Sequence, residues 1–177
     1  MKLLTHETQW RGGETVIAFG AFDGVHEGHA RLMSTARELA QRDGIASVVY
    51  TFSSHPMTVF APEQVPPELQ TRSEKVCAIA RQGIDVAVLR PFDRDYAAQS
   101  PEEFVSAFVD ALHPRHVVIG FNFSFGNKGA GKRKIGVIRA ISNDSIAALK
   151  VRQKVPYQIL PTLLCHGSGQ SAFSVQH

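Results

Sequence analysis

Thr15 to Leu32 reads TVIAFGAFDGVHEGHARL. An apolar, strand-like run enters it and an amphipathic, helix-like run leaves it. Gly20, Gly24 and Gly28 punctuate the join, and His26 and His29 stand three apart at its exit. Glycine lets backbone take positive φ and approach a ligand closely. A turn between a strand and a helix N-terminus leaves backbone N–H groups unpaired, which suits an anion. Two imidazoles there add donors that can carry positive charge. The stretch reads as a polyphosphate site with the histidines as movable cations. A bare H-x-x-H has blander readings, as surface residues or as metal ligands. Zinc on His26, His29 and Asp23 is the competing chemistry, but no thiol or fourth ligand lies within sequence reach.

Outward from this turn the chain alternates. Residues 14–19 read as a buried strand, and 29–42 as a helix with Leu32, Met33, Ala36, Leu39 and Ala40 on one face, closed by Gly44. Ser47 to Phe52 is a second strand, running into the loop Ser53-Ser54-His55-Pro56. Pro62, Pro66 and Pro67 prevent 57–70 from being one regular element. Thr71 and Glu74 have capping-box spacing, opening a helix with Val76, Ile79 and Ala80 inward and Cys77 as a small buried residue; Gly83 ends it. Ile84 to Leu89 is a third strand. Ser100-Pro101-Glu102-Glu103 opens a helix whose apolar face is Phe104, Val105, Phe108, Val109 and Leu112. His116 to Ile119 is a fourth strand, followed by GFNFSFGNKGAG at 120–131.

Strands apolar on both faces and alternating with helices predict an α/β fold, a Rossmann-like doubly wound parallel sheet. In such sheets ligands bind beyond the carboxyl ends of the strands. The loops at 20–29, 53–56 and 120–131 are therefore expected at one edge. Phe121, Phe123 and Phe125 alternate, as a strand with one buried face would; the Asn, Ser and Gly between them suit a loop that offers rings to a flat ligand.

At 177 residues, with 44% hydrophobic and 20% charged residues, the chain fits one domain with a real core. No apolar run reaches the roughly 18 residues of a membrane helix, so no membrane is expected as a partner. The N-terminus, MKLLTHETQW, does not have the form of a signal peptide. Cys77 and Cys165 are too few for a disulfide framework, and a reducing cytoplasm is the expected location. The net charge of +3 is mild. Much of it is local, in Lys128, Lys132, Arg133 and Lys134, so no nucleic acid is expected as a partner.

GAFDGVHEGH resembles the nucleotide signature of the HxGH nucleotidyltransferases. TFSSHP, LQTRSEK, SPEEFV and GFNFSFGNKGAG resemble, in order, the further motifs of bacterial FAD synthetase, the FMN adenylyltransferase module of the bifunctional riboflavin kinase/FAD synthetase. The resemblance implies transfer of AMP from ATP to FMN, releasing pyrophosphate, with Mg2+ accompanying ATP. It implies His26 and His29 as catalytic residues that hold the triphosphate. Gly20, Ala21, Phe22, Asp23, Gly24 and Gly28 would complete the ATP site, Asp23 near the phosphates or metal. Phe52, His55, Pro56, Asn122, Phe123 and Phe125 would contact the flavin; the family often has Asp at the position of Asn122.

The resemblance spans roughly residues 14–131. Residues 1–131 are thus expected to form the nucleotidyltransferase core, and 132–177 a divergent segment of the same domain. Weak patterning there predicts unpaired strands at the end of the sheet. The segment is either a shortened, divergent form or a stretch of altered reading frame. The family's second nucleotide motif, I-S-S-T-x-I-R, has only a faint echo in residues 141–146. The riboflavin kinase module has no counterpart, so kinase activity is not expected. A flavin- or nucleotide-binding relative with weakened or no turnover is the alternative function.

Overall fold

The computed structural model describes residues 1–120, 123–127, 131–132 and 136–139. In chain order the main elements begin with β1 (Lys2–Leu4), β2 (Thr15–Phe19), α1 (Glu27–Asp43) and β3 (Ala46–Phe52). Next come α2 (Met57–Phe60), α3 (Arg72–Arg81), β4 (Val86–Arg90), α4 (Arg94–Ala98), α5 (Pro101–Leu112) and β5 (Pro114–Ile119). The short β6 (Ser124–Phe125) and β7 (Gly131–Lys132) pair with each other, and β8 (Gly136–Arg139) follows.

One sheet runs β1-β4-β3-β2-β5-β8. Its first five strands are mutually parallel, and β8 lies antiparallel on β5. The edge expected to be open beyond β5 is therefore covered, by backbone from the segment set apart at 132–177. The path steps from β2 to β3 to β4, then returns to place β5 on the other side of β2. Strand order reverses between β2 and β5, which makes their carboxyl ends the switch point of the sheet.

Each sheet face has its own core. Val16, Ala18, Val49, Ala87 and Val118 pack with Met33, Ala36 and Ala40 of α1, Ile79 of α3, and Phe22. Ile17, Phe19, Val48, Tyr50, Val88 and Val117 pack on the opposite side with Tyr96 and with Phe104, Val105, Phe108 and Leu112 of α5. Val16, Ile17 and Ala18 are completely buried, as strands covered on both faces must be.

The capping residues act as their spacing predicts. Thr71 and Ser100 each accept from the backbone N–H of Glu74 and Glu103, whose carboxylates reach back to the cap N–H. These hydrogen bonds hold the Glu74 and Glu103 carboxyls below the ordinary glutamate range. Gly44 closes α1 at φ 67°.

Three local expectations need correcting. Ile79 of α3 is buried as expected, but its companion on the buried stripe is Lys75 rather than Val76 or Ala80. Ala80 is exposed, and so is Cys77. The helix 94–98 was not expected; Asp93 caps it by accepting from Tyr96 N–H at 2.8 Å, but five residues are too few to show a periodicity.

Candidate active site

β2 ends at Phe19, level with Tyr50 of β3 and Ile119 of β5. The loops after β2, β3 and β5 therefore leave the same edge. At Gly20 the chain turns, its N–H held by the Tyr50 carbonyl at 3.2 Å. The positive φ values fall on Phe22 (48°) and Gly24 (59°). Gly20 and Gly28 serve by leaving room. A Cβ at position 20 would lie 3.0 Å from the Phe22 ring, and one at position 28 would lie 3.0 Å from the His26 ring. Gly24 meets both demands, since a Cβ there would lie 2.8 Å from Leu69.

His26 is the N-cap of α1. Its Nδ1 accepts from the N–H groups of Gly28 (3.1 Å) and His29 (3.4 Å). The helix therefore starts at Glu27, two residues before the expected boundary. Two amides that the sequence reading leaves to an anion are also already satisfied. Acceptance at Nδ1 puts the proton of a neutral His26 on Nε2.

His29 is the mirror case. Its Nδ1 lies 3.1 Å from the Gly24 carbonyl, which can only accept, so Nδ1 carries the proton and Nε2 is left with a lone pair. The two rings stack at 3.8 Å with 23° between their planes. His29 also meets Phe22 edge-on at 5.1 Å. Burial pushes the His29 pKa below 6.5, with neighbouring positive charge from His26 and Lys75 adding to the effect. The Gly24 hydrogen bond and Asp23 oppose it. His29 can take a second proton without losing its Gly24 partner, whereas His26 cannot without releasing the cap.

The remaining predicted residues do not share one place. Asp23 accepts from Leu69 N–H at 3.1 and 3.2 Å, pinning the turn to the loop before α3. Phe22 is completely buried beneath the histidines, so its ring supports the site and leaves only backbone to a ligand. Ala21 and Asp23 share a cavity of about 10 Å³ with Phe52, Ser54, His55, Pro56, Glu68 and Lys75. This joins the turn to the loop after β3. His55 Nδ1 accepts from Met57 N–H at 3.1 Å, and Glu68 accepts from His55 N–H at 3.3 Å.

Phe123 and Phe125 lean onto the α5 side of the sheet. Phe123 lies 4.9 Å from Phe19, Phe125 5.3 Å from Phe104, and the two are 5.5 Å apart. Their rings thus pack on the core, and neither they nor the two imidazoles line the cavity. Both groups nevertheless adjoin the β2 exit, through Phe19 on one face and Phe22 on the other. Phe121, Asn122 and the echo at 141–146 lie outside the described residues. Among the described residues, no group of three or more His, Cys, Asp or Glu could hold a metal ion. Lys75, buried in this cavity wall, was missed as a site residue. Its signal was a cation four residues from Ile79, on the inward stripe of α3.

The chain is similar to several known proteins. A bifunctional riboflavin kinase/FMN adenylyltransferase of Bacillus subtilis is 35% identical over 122 residues, 68% of this chain and 39% of that protein. A protein of the same description from Listeria monocytogenes is 37% identical over 128 residues, 70% of this chain and 40% of that protein. A putative one from Geobacillus thermodenitrificans is 34% identical over 151 residues, 85% of this chain and 74% of that protein. The chain thus spans about two-fifths of the length of the first two. A crystal structure described as a macrolide-efflux protein from Streptococcus pneumoniae superposes with a TM-score of 0.62 at 26% identity, covering 72% of this chain and 43% of that one. The family model described as FAD synthetase matches residues 8–156, running past residue 131 into the segment set apart above. With that match and the histidine turn at the switch point of a parallel sheet, the chain belongs to the FAD synthetase family.

Proposed function

We propose that the chain is an FMN adenylyltransferase. An oxygen of the FMN phosphate attacks the α-phosphorus of ATP, the bond to the bridging oxygen breaks, and FAD and pyrophosphate form. The observation that carries this reading is the His26–His29 pair on the strand-to-helix turn, in a chain of this family. The reaction joins two polyanions, so its barrier is lowered by donors fixed where charge shifts to the leaving pyrophosphate. His26 offers Nε2–H while its other nitrogen holds the helix end. His29 offers Nε2 once protonated, and an arriving triphosphate favours that proton. Mg2+ belongs with ATP in this scheme, as part of the substrate complex. Asp23 is the carboxylate of the turn nearest to hand, and its oxygens already accept from Leu69 N–H.

The loop after β3, with His55 and Pro56, would face the flavin. Asn122, Phe123 and Phe125 would border it from the β5 side. Among the described residues no helix is long and apolar enough to cross a membrane. Small-molecule substrates and a cytoplasmic location complete the proposal. One sequence observation favours a second reading. The family's second nucleotide motif has only an echo at 141–146, so a module that holds flavin or ATP without turnover is the alternative. Incubating the purified chain with FMN, ATP and Mg2+ and separating the flavins by chromatography tests both. FAD accumulation is the expected result. Binding of FMN or ATP without product selects the alternative, and binding of neither defeats both.

A further inference from the structure

Lys75 lies on the inward stripe of α3 and is only 6% exposed. Its Nζ donates to the Phe52 carbonyl at 3.4 Å, at the end of β3. Among the described residues no carboxylate lies within the 4.0 Å of an ion pair with it. The two carboxylates that share its cavity are turned to backbone, Asp23 to Leu69 N–H and Glu68 to His55 N–H. A buried ammonium is costly unless paired, and one long hydrogen bond to a neutral carbonyl compensates little of that cost. Two of its three donors have no hydrogen-bond partner among the described residues. The cavity it lines, about 10 Å³, has room for one water-sized atom. It is walled on one side by the turn carrying Ala21 and Asp23, and on the other by Ser54, His55 and Pro56.

We propose that Lys75 is a phosphate-binding residue, whose ammonium takes one oxygen of the FMN phosphate between these two walls. The proposal rests on the adenylyltransferase reading and deepens it. The imidazoles belong to the turn that faces the triphosphate, whereas Lys75 sits against the loop after β3, which faces the flavin. A phosphate oxygen fits the space, supplies the missing counter-charge and accepts the free donors. Lys75 then distinguishes FMN from riboflavin, the same ring system without the anion.

The test measures flavin affinity by fluorescence titration for FMN and for riboflavin, with inorganic tripolyphosphate titrated separately by calorimetry. The wild type should prefer FMN. Lys75→Met should weaken FMN binding about 10- to 100-fold and leave riboflavin unchanged, so the preference disappears. Tripolyphosphate affinity should fall much less than FMN affinity, because its nearest donors lie on the histidine turn and Lys75 acts on that turn through its charge alone. Lys75→Arg should restore part of the preference. If Lys75→Met does not fold, as judged by far-UV circular dichroism, Lys75→Gln takes its place, keeping a donor for the Phe52 carbonyl without the charge. A neutral variant that retains the full preference for FMN overturns the role of Lys75 while leaving the adenylyltransferase reading intact. Equal loss of FMN, riboflavin and tripolyphosphate binding also overturns it, because that pattern marks a structural defect. A wild type that binds neither flavin overturns the reading on which the proposal rests.

Discussion

A methyl group added at position 28 would lie 3.0 Å from Cε1 and 3.2 Å from Nδ1 of the His26 ring. Carbon contacts are most favourable at about 3.5–4.0 Å, so in Gly28→Ala the imidazole has to move off its cap. Losing an N-cap costs about 1 kcal/mol. Replacing glycine by alanine in a helix returns up to about 1 kcal/mol. These terms nearly cancel, so urea unfolding, followed at the lone Trp10, should change by less than about 1 kcal/mol. Activity has no such compensation. The displaced ring leaves its stack with His29, and Nε2–H no longer points where the cap aimed it. Loss of one positioned donor costs about 10²–10³ in rate, and FAD formation should fall by roughly that factor. Circular dichroism, urea titration and an FAD assay on the same preparation read both halves. A variant that works at the wild-type rate, or that loses about 3 kcal/mol or more of stability, would show that the His26 ring is not held over Gly28 in this way.

Three further outcomes follow from the polar network and from the imidazoles. The Tyr50 hydroxyl donates to the buried Glu7 at 3.0 Å, and burial pushes the pKa values of Tyr50 and Tyr96 up. Tyr50→Phe leaves Glu7 facing Arg90 at 3.5 Å and His6 at 3.6 Å without its neutral donor; a stability loss of about 1–3 kcal/mol in urea is expected. His29 has a folded pKa below 6.5, so just below that pH the unfolded chain holds more protons. Its contribution to stability therefore declines as pH falls through about 6.5. A bound polyphosphate favours the protonated ring and reverses the trend. Tripolyphosphate titrated near pH 7 in two buffers of different ionisation enthalpy should show net proton uptake in the wild type and much less in His29→Ala.

The parts of the fold that were legible had local causes. Thr71 with Glu74 and Ser100 with Glu103 marked helix starts, because each cap is built from residues three apart. The sheet class was legible because residues 15–19 and 47–52 are largely apolar on both faces and alternate with helices, the pattern of a parallel sheet covered on both sides. The start of α1 was misplaced because histidine is an uncommon cap. The imidazole acceptor of His26 becomes visible only when its ring is seen over Gly28. The inward face of α3 was legible at Ile79 but not at Lys75, because a cation occupies a place on the stripe where an apolar residue is the usual occupant. β1, three residues long, had too little pattern to show. At the site, the sequence identified the residue types of the turn but not their tautomers. Those depend on which nitrogen meets an amide and which meets a carbonyl. Nor could it show that Phe22 lies under the histidines while Phe19 lies on the opposite face.

If the histidine turn performs adenylyl transfer, one rate comparison shows it. Wild type and His29→Ala are incubated side by side with FMN, ATP and Mg2+, and FAD is quantified after both are shown to be folded. The wild type should form FAD, and the variant should form it at a rate at least about 10²-fold lower. Equal rates from the two folded proteins would contradict it.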